Sequence, residues 1–451
     1  MQAIEGAEMK ELIRSNKAFR AIIVSDLFET IGAVLFNIVF LIYAAQLPNK
    51  TLAISVVSFM AVMPMVLQAF LGNMAGRIKQ PIKYMLDRRL FQTVLYLLEA
   101  GLFFFGDLKS WTIFIPLLLI NFVSDLTGGL SSMVSMPIIK HVVPNEKREV
   151  ANGLQTAISS IVSIVGQVLG ATLIVIINYR YDVFALLNAL MFAIAFLALF
   201  SSRTQLEQAE TESQIAIKQS RAAAEPSSAS SPKKAGVLKM ISASPIVLFI
   251  LVFGAMINFF GTPVDAVLNL MLLSHHALYF PPLFNTYGQS VAVYGSVFSI
   301  GMIISALLME DFLGKMKITT IIILLEFVMA VLGLTTAFFP NRWLLLILMF
   351  TMAYILGKLN PKIGAMMMRV VPEHQLAAIM GIFGSIMTLA MPVGQLVFLT
   401  IANVYRPADA WLVMGISSIF LFVLSLVFYR KSNLTSDDDA ATQTNLEIGQ
   451  K

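Results

Sequence analysis

Residues 142–167 read VVPNEKREVANGLQTAISSIVSIVGQ, and residues 370–395 read VVPEHQLAAIMGIFGSIMTLAMPVGQ. Laid on each other, they place Val142, Val143 and Pro144 on Val370, Val371 and Pro372, and Gly153, Gly166 and Gln167 on Gly381, Gly394 and Gln395. The offset is constant, from 144 to 372 and from 167 to 395, and is about half of the 451-residue chain. A period that long is too coarse for a solenoid unit and reads as two copies of one domain. In each copy a short polar turn closes one long apolar segment and opens another. The stretch therefore predicts two halves of one design.

Working outward, the chain is 58% hydrophobic and 13% charged, against roughly 45–50% apolar and 25% charged in soluble domains. Apolar runs recur that are long enough to cross a hydrocarbon layer about 30 Å thick as helices. Strands of a membrane barrel would show about ten residues of alternating polarity instead. We read an all-α membrane protein of twelve transmembrane segments in two pseudo-symmetric six-helix bundles. The first bundle (1–201) holds segments at about 21–45, 52–74, 90–105, 111–139, 150–177 and 183–200. The first run has no persuasive small-residue cleavage site and is expected to be retained. Residues 202–240, rich in Ala, Ser, Gln, Glu and Lys, are expected to form a flexible or partly helical cytoplasmic linker. The second bundle (241–431) holds segments at about 245–273, 290–309, 318–338, 343–368, 379–404 and 411–429, and 432–451 is a polar tail. Pro64, Pro116, Pro263 and Pro392 lie inside segments and are expected to kink them. Gly166 and Gly170 form a small-xxx-small face suited to close helix packing.

Twelve crossings put both termini on one side. That side, with the linker and the loop bearing Arg77, Lys79, Lys83, Arg88 and Arg89, holds 24 of the 31 Lys and Arg; the opposite connections hold Lys50, Lys109, Arg180, Arg342 and Arg406. The positive-inside rule then makes the termini cytoplasmic, in a plasma or inner membrane. This distribution also explains the +5 net charge without nucleic acid. With no cysteine, disulfides, thiolate metal sites and thiol catalysis are excluded. His275 and His276 are adjacent and do not face one metal. No cofactor, and no nucleophile–base constellation of an enzyme, is readable.

Two parallel six-helix halves with a long linker resemble the major facilitator superfamily of secondary transporters. Gly384-Ser385-Ile386-Met387, Leu389-Ala390-Met391-Pro392 and Val143-Pro144-Asn145-Glu146 resemble its macrolide-efflux, drug:proton antiporter branch. The superfamily's loop after the second segment carries Gly, then Ala-Asp-Arg and further basic residues. Here Gly72, Ala75 and Arg77 fit, but Gly76 stands where the acid is expected. The second-half counterpart keeps acids, Glu310 and Asp311, followed by Gly314 and Lys315. The resemblance implies a gating role for these residues, with the missing acidic partner supplied from the second half or elsewhere. It also implies that segments 1, 4, 7 and 10 line a central cavity.

Ionisable groups in membrane segments cost roughly 2.5–3.5 kcal/mol at a helix centre, so each asks for an explanation. Asp26 and Glu29 share a helix face three residues apart, Asp125 lies in segment 4, Asp265 in segment 7 and Lys358 in segment 10. These are the candidates for proton coupling or substrate binding, with Asp26–Glu29 as a carboxylate pair able to hold one proton between them. The alternative is that they sit near headgroups or are neutralised by partners such as Lys358. Glu99 and Glu326, in peripheral segments, read as structural hydrogen-bonding groups. Asn37, Asn121, Asn258, Phe259, Phe260 and Asn360 are further cavity candidates. The expectation is a monomeric transporter in the lipid bilayer that exports hydrophobic or amphipathic small molecules against protons. An uptake permease would share the fold, and a receptor or lipid-handling scaffold would bind without flux.

Overall fold

In hydrocarbon a backbone must satisfy its own polar groups, and an apolar run does so as a helix. The computed structural model describes residues 16–223 and 245–431, apart from residues 76, 145, 146, 309, 310, 371 and 372. The chain divides between residues 227 and 228 into two compact units. The first contains α1 (Lys17–Ala44), α2 (Lys50–Ala75), α3 (Pro81–Phe105), α4 (Trp111–Val142), α5 (Arg148–Ile176), α6 (Tyr181–Phe200) and α7 (Arg203–Ala223). The second contains α8 (Pro245–Gly261), α9 (Pro263–Leu272), α10 (Tyr287–Leu307), α11 (Ile318–Phe338), α12 (Arg342–Val370), α13 (Glu373–Val404) and α14 (Pro407–Lys431).

The internal repeat is visible as a repeated order of packing. In the first unit α3 packs on α6, α2 on α4, α1 on α5 and α3 on α4; in the second, α11 packs on α14, α10 on α12, α8 on α13 and α11 on α12. Outward faces are apolar, with Leu97, Leu98, Leu186, Ile347 and Phe420 exposed as lipid contact requires. Eleven spans among the described residues are long and apolar enough to cross a membrane, counting α8 and α9 as one. The remaining predicted crossing is α3. It begins at Pro81 and not near residue 90, because proline at a first helical position needs no N–H partner. Its 25 residues make it about 38 Å long, so its first turns carry Lys83, Asp87, Arg88 and Arg89 within the helix.

Segment 7 is broken where the sequence predicts a kink. Pro263 lacks the N–H that would bond to the Phe259 carbonyl four residues earlier, so α8 stops at Gly261 and α9 restarts. Gly394, one of the repeated glycines, packs against that carbonyl: a Cβ there would overlap it and stand 2.9 Å from Phe259 Cα. Gly394→Ala is expected to cost about 1–3 kcal/mol by overpacking, read as a lower thermal midpoint in detergent. Gly381→Ala, with nothing within 4 Å, is the matched control and should not lower it, since alanine is the better helix former. In the first unit Gly166 and Gly170 let α5 approach Val34 and the Leu35 carbonyl of α1, which is the close packing their spacing predicts. Pro64, Pro116 and Pro392 lie inside uninterrupted helices.

The first copy of the repeated turn closes one end of its unit. Asn16 Nδ2 donates to the Val142 carbonyl (2.7 Å), while its own Oδ1 caps α1 by accepting from Phe19 N (2.9 Å). Val142 and Val143 join a core with Phe19, Ile22, Ile82, Met85, Leu86 and Leu206. Leu206 belongs to α7, so the first half of the linker region is a helix docked on this unit. Glu210 of α7 accepts from Ile82 N (3.0 Å) and Gln214 donates to the Lys79 carbonyl (2.8 Å), capping the start of α3 with a carboxylate. Val371 and Pro372 of the second copy lie outside the described residues.

Candidate functional site

Because α3 begins early, Arg88 and Arg89 are carried into the bundle, where they are 3% and 1% exposed. Arg88 Nη2 lies 2.6 Å from Glu29 Oε1, and Arg89 pairs with the other Glu29 oxygen through Nη1. Arg89 also reaches Asp26 Oδ1 (3.2 Å) and donates from Nε to Ser25 Oγ (3.1 Å). Gln155 of α5 donates to Asp26 Oδ2 (3.1 Å). The expected Asp26–Glu29 dyad is therefore corrected to a quartet of two acids and two bases, with no formal net charge. The reason is steric placement: Arg89 stands two turns into α3, opposite the α1 face that carries both acids. Lys358, suggested as their partner, belongs to the second unit's own network.

Beside the quartet is a cavity of about 470 Å³, lined by Asp26, Glu29, Thr30, Gln92, Ser124, Asp125, Ser131, Ser132, Ser135, Gln155 and Ser159. Met85, Met136, Ile139 and Phe192 supply its apolar wall. A neighbouring recess of about 370 Å³ shares Asp26, Thr30, Gln155 and Ser159. Asp125 differs from the other cavity acids. Among the described residues no Lys or Arg pairs with it, and the charged groups facing it are themselves acids, Glu29 and Glu99. A carboxylate in a partly buried cavity with no internal countercharge must take one from a proton or a bound cation.

The remaining first-unit candidates divide plainly. Asn121 is 7% exposed and donates to Glu99 Oε1 (3.0 Å), and Asn37 is exposed. Glu99 and Glu326 are both buried, the latter accepting from Ser425 Oγ (2.5 Å). Gly72 has open space around it and Arg77 is exposed.

In the second unit, Asp265 is exposed at the start of α9 and accepts from Asn269 Nδ2 (3.1 Å). Asn258 donates to the Met387 carbonyl (3.2 Å), tying α8 to α13. Phe259 and Phe260 pack on Phe398, with ring centroids 5.7 and 5.6 Å away. Phe260 is thereby core, not cavity wall. Asn360 is exposed, and Glu310 lies outside the described residues. Lys358 is 1% exposed and lies 3.1 Å from Asp311. It also donates to the Ser305 carbonyl (3.0 Å) and the Leu308 carbonyl at the end of α10. Asp311 further accepts from the Tyr354 hydroxyl and from Gly314 N (2.7 Å), while Lys315 is exposed.

Tyr354 first, then the Gly314 N–H and Lys358, hold the Asp311 carboxyl down at about 2. A depressed carboxyl contributes its stability above the ordinary carboxyl range and loses it only as pH falls through the folded value. The Asp311 carboxylate therefore stays charged across the physiological range and is not itself a proton switch. Asp311→Asn is expected to lower the thermal midpoint by the same amount throughout about pH 5 to 8. A deficit that vanishes towards the acid end would contradict this.

Sequence reasoning missed Arg88 and Arg89, which it placed in a loop. The signal was present: Ile82, Met85, Leu86 and Arg89 follow helical spacing after Pro81, which puts Arg89 on the buried face. It also left Gln92, Ser124 and the serines of α4 unassigned.

A sequence profile of the Major Facilitator Superfamily matches residues 21–394. No curated protein matches the chain in sequence. In structure it is similar to a POT family transporter in complex with 5-aminolevulinic acid (12% identity, TM-score 0.61, covering 92% of this chain and 96% of that one). It is also similar to the peptide transporter POT in complex with sulfate (11% identity, TM-score 0.62, covering 93% and 94%). The nucleoside transporter NupG gives 13% identity and TM-score 0.61, covering 91% and 99%. At these identities the likeness is one of fold. With a superfamily profile that runs through both halves and one packing order repeated in each, the chain belongs to the Major Facilitator Superfamily and is a membrane transporter.

Proposed function

We propose that the chain is a proton-coupled secondary transporter of small polar solutes, with Asp125 as the residue that carries the coupled proton. The observation that carries the reading is the unpaired Asp125 carboxylate in a cavity lined largely by Ser, Thr and Gln. Hydroxyl and amide groups recognise hydrogen-bonding solutes, and a lone acid recognises either a proton or an ammonium group. The fold neighbours handle polar compounds, which favours uptake down a proton gradient. Met85, Met136, Ile139 and Phe192 on the same cavity favour a second reading, export of amphipathic, drug-like molecules by antiport, since Met and aromatic groups adapt to varied ligands. Either way coupling requires proton and solute to bind the inward and outward states differently. The Lys and Arg distribution supports cytoplasmic termini in a cell membrane.

The test is flux in proteoliposomes under an imposed pH gradient, with polar amines in one panel and lipophilic cations and neutral macrolides in the other. Entry of polar amines with protons supports the first reading. Movement of lipophilic compounds against protons supports the second, and flux indifferent to the gradient refutes both.

A further inference from the structure

A seam of polar groups leaves the cavity between α3 and α4 and ends at Glu99. On α3, Gln92, Tyr96 and Glu99 are spaced to share one face, and Asn121 and Ser124 of α4 meet them. Gln92 Nε2 donates to Ser124 Oγ (2.9 Å), Tyr96 Oη donates to the same oxygen (3.2 Å), and Asn121 Nδ2 donates to Glu99 Oε1 (3.0 Å). Gln92 and Ser124 line the cavity, whereas Glu99 is 0% exposed.

A structural brace would leave this seam satisfied, and it is not. Gln92 Oε1 and Glu99 Oε2 are buried without a partner in hydrogen-bond geometry, and Asn188 of α6 lies beside Tyr96. Buried polar atoms without partners are rare in folded proteins, and each asks for a reason. Two on one route to a buried carboxyl have a common one in exchangeable protons and the ordered water that accompanies them. The titratable groups facing Glu99 are Asp125 on α4 and Tyr96 on α3, and α6 presents the uncharged Asn188. Among the described residues no Lys or Arg pairs with Glu99, so a proton is the countercharge open to it.

We infer that Glu99 is a second proton-carrying carboxyl of the first unit, loaded from the cavity through the Ser124 and Tyr96 hydroxyls. Each hydroxyl both donates and accepts. A proton arriving on the Tyr96 oxygen is matched by the phenolic proton leaving onto ordered water between Tyr96 and Glu99, which passes a proton to Glu99 Oε2, so the hydroxyl and the water are regenerated and one proton is gained by the carboxylate. The inference deepens the proton-coupled reading and rests on it for its physiological use.

The test is infrared difference spectroscopy of the purified protein, with protons and deuterons as the probe. Expected are a carboxyl C=O band that titrates with pH, is lost in Glu99→Gln and shifts in D₂O, with exchange at least about tenfold slower in Tyr96→Phe. A pH-difference spectrum in which Glu99→Gln removes no titrating carboxyl band, or a Glu99 band that exchanges at the wild-type rate in Tyr96→Phe, overturns the inference. Should Glu99→Gln fail to fold, Glu99→Asp identifies the band by its shift. These spectra need no substrate, so absence of gradient-driven flux would refute the coupling reading and leave the Glu99 result to stand or fall separately.

Discussion

Replacing Arg89 by Gln is expected to destabilise the first unit by about 3–5 kcal/mol, the cost of breaking a buried ion pair from one side. Arg89 is 1% exposed and is the one side chain that holds Ser25, Asp26 and Glu29 together. Without it Glu29 keeps Arg88, but Asp26 is left with the neutral Gln155 amide as its side-chain partner. The loss is mostly the penalty for an uncompensated charge. Arg89→Gln combined with Asp26→Asn should therefore recover most of the stability, giving strong non-additivity in a double-mutant cycle. The measurement is the thermal midpoint of the detergent-solubilised protein for both singles and the double. If the double is no better than Arg89→Gln alone, the quartet is not a charge-balanced unit.

The Asp125→Asn variant is expected to retain its fold and lose its coupling. Asn has nearly the same shape, and the carboxylate it replaces has no internal ion pair to break, so the thermal midpoint should change little. Function should change greatly. One pH unit is worth 1.36 kcal/mol per proton, so with the membrane potential clamped at zero a one-proton carrier accumulates solute about tenfold per unit of gradient. In Asp125→Asn that accumulation should fall to about onefold, leaving at most downhill exchange. Asp26→Asn is the informative contrast, because Arg89 already provides that acid with a countercharge. Concentrative transport retained in Asp125→Asn and lost in Asp26→Asn would move the coupling role to the quartet.

The two acids of α1 show where sequence reasoning reached its limit. Their spacing correctly puts them on one helix face, and Asp125 was legible as a costly intramembrane charge. The arginines that answer Asp26 and Glu29 were not, because they looked like part of a positively charged loop. Starting α3 at Pro81 turns the same residues into buried ligands of a carboxylate pair. Lys358 was legible as a buried cation, but its partner Asp311 comes from a turn 47 positions earlier, and nothing in local pattern ties the two. Phe259 and Phe260 were named as cavity candidates, and both pack on Phe398, the role that so apolar a chain makes commonest for an aromatic.

By itself, the sequence determined that this chain crosses a membrane many times in helices, that it has two halves of one design, and that segment 7 is bent at Pro263. Those conclusions follow from constraints that act on one segment at a time: apolar length against hydrocarbon thickness, repetition, and a missing N–H. Only the tertiary structure decided which acids are neutralised by a cation and which are left without one. Pairing depends on where each helix begins and how it is rotated against its neighbours, and a few residues' difference in the start of α3 converts a basic loop into the countercharge of the candidate site.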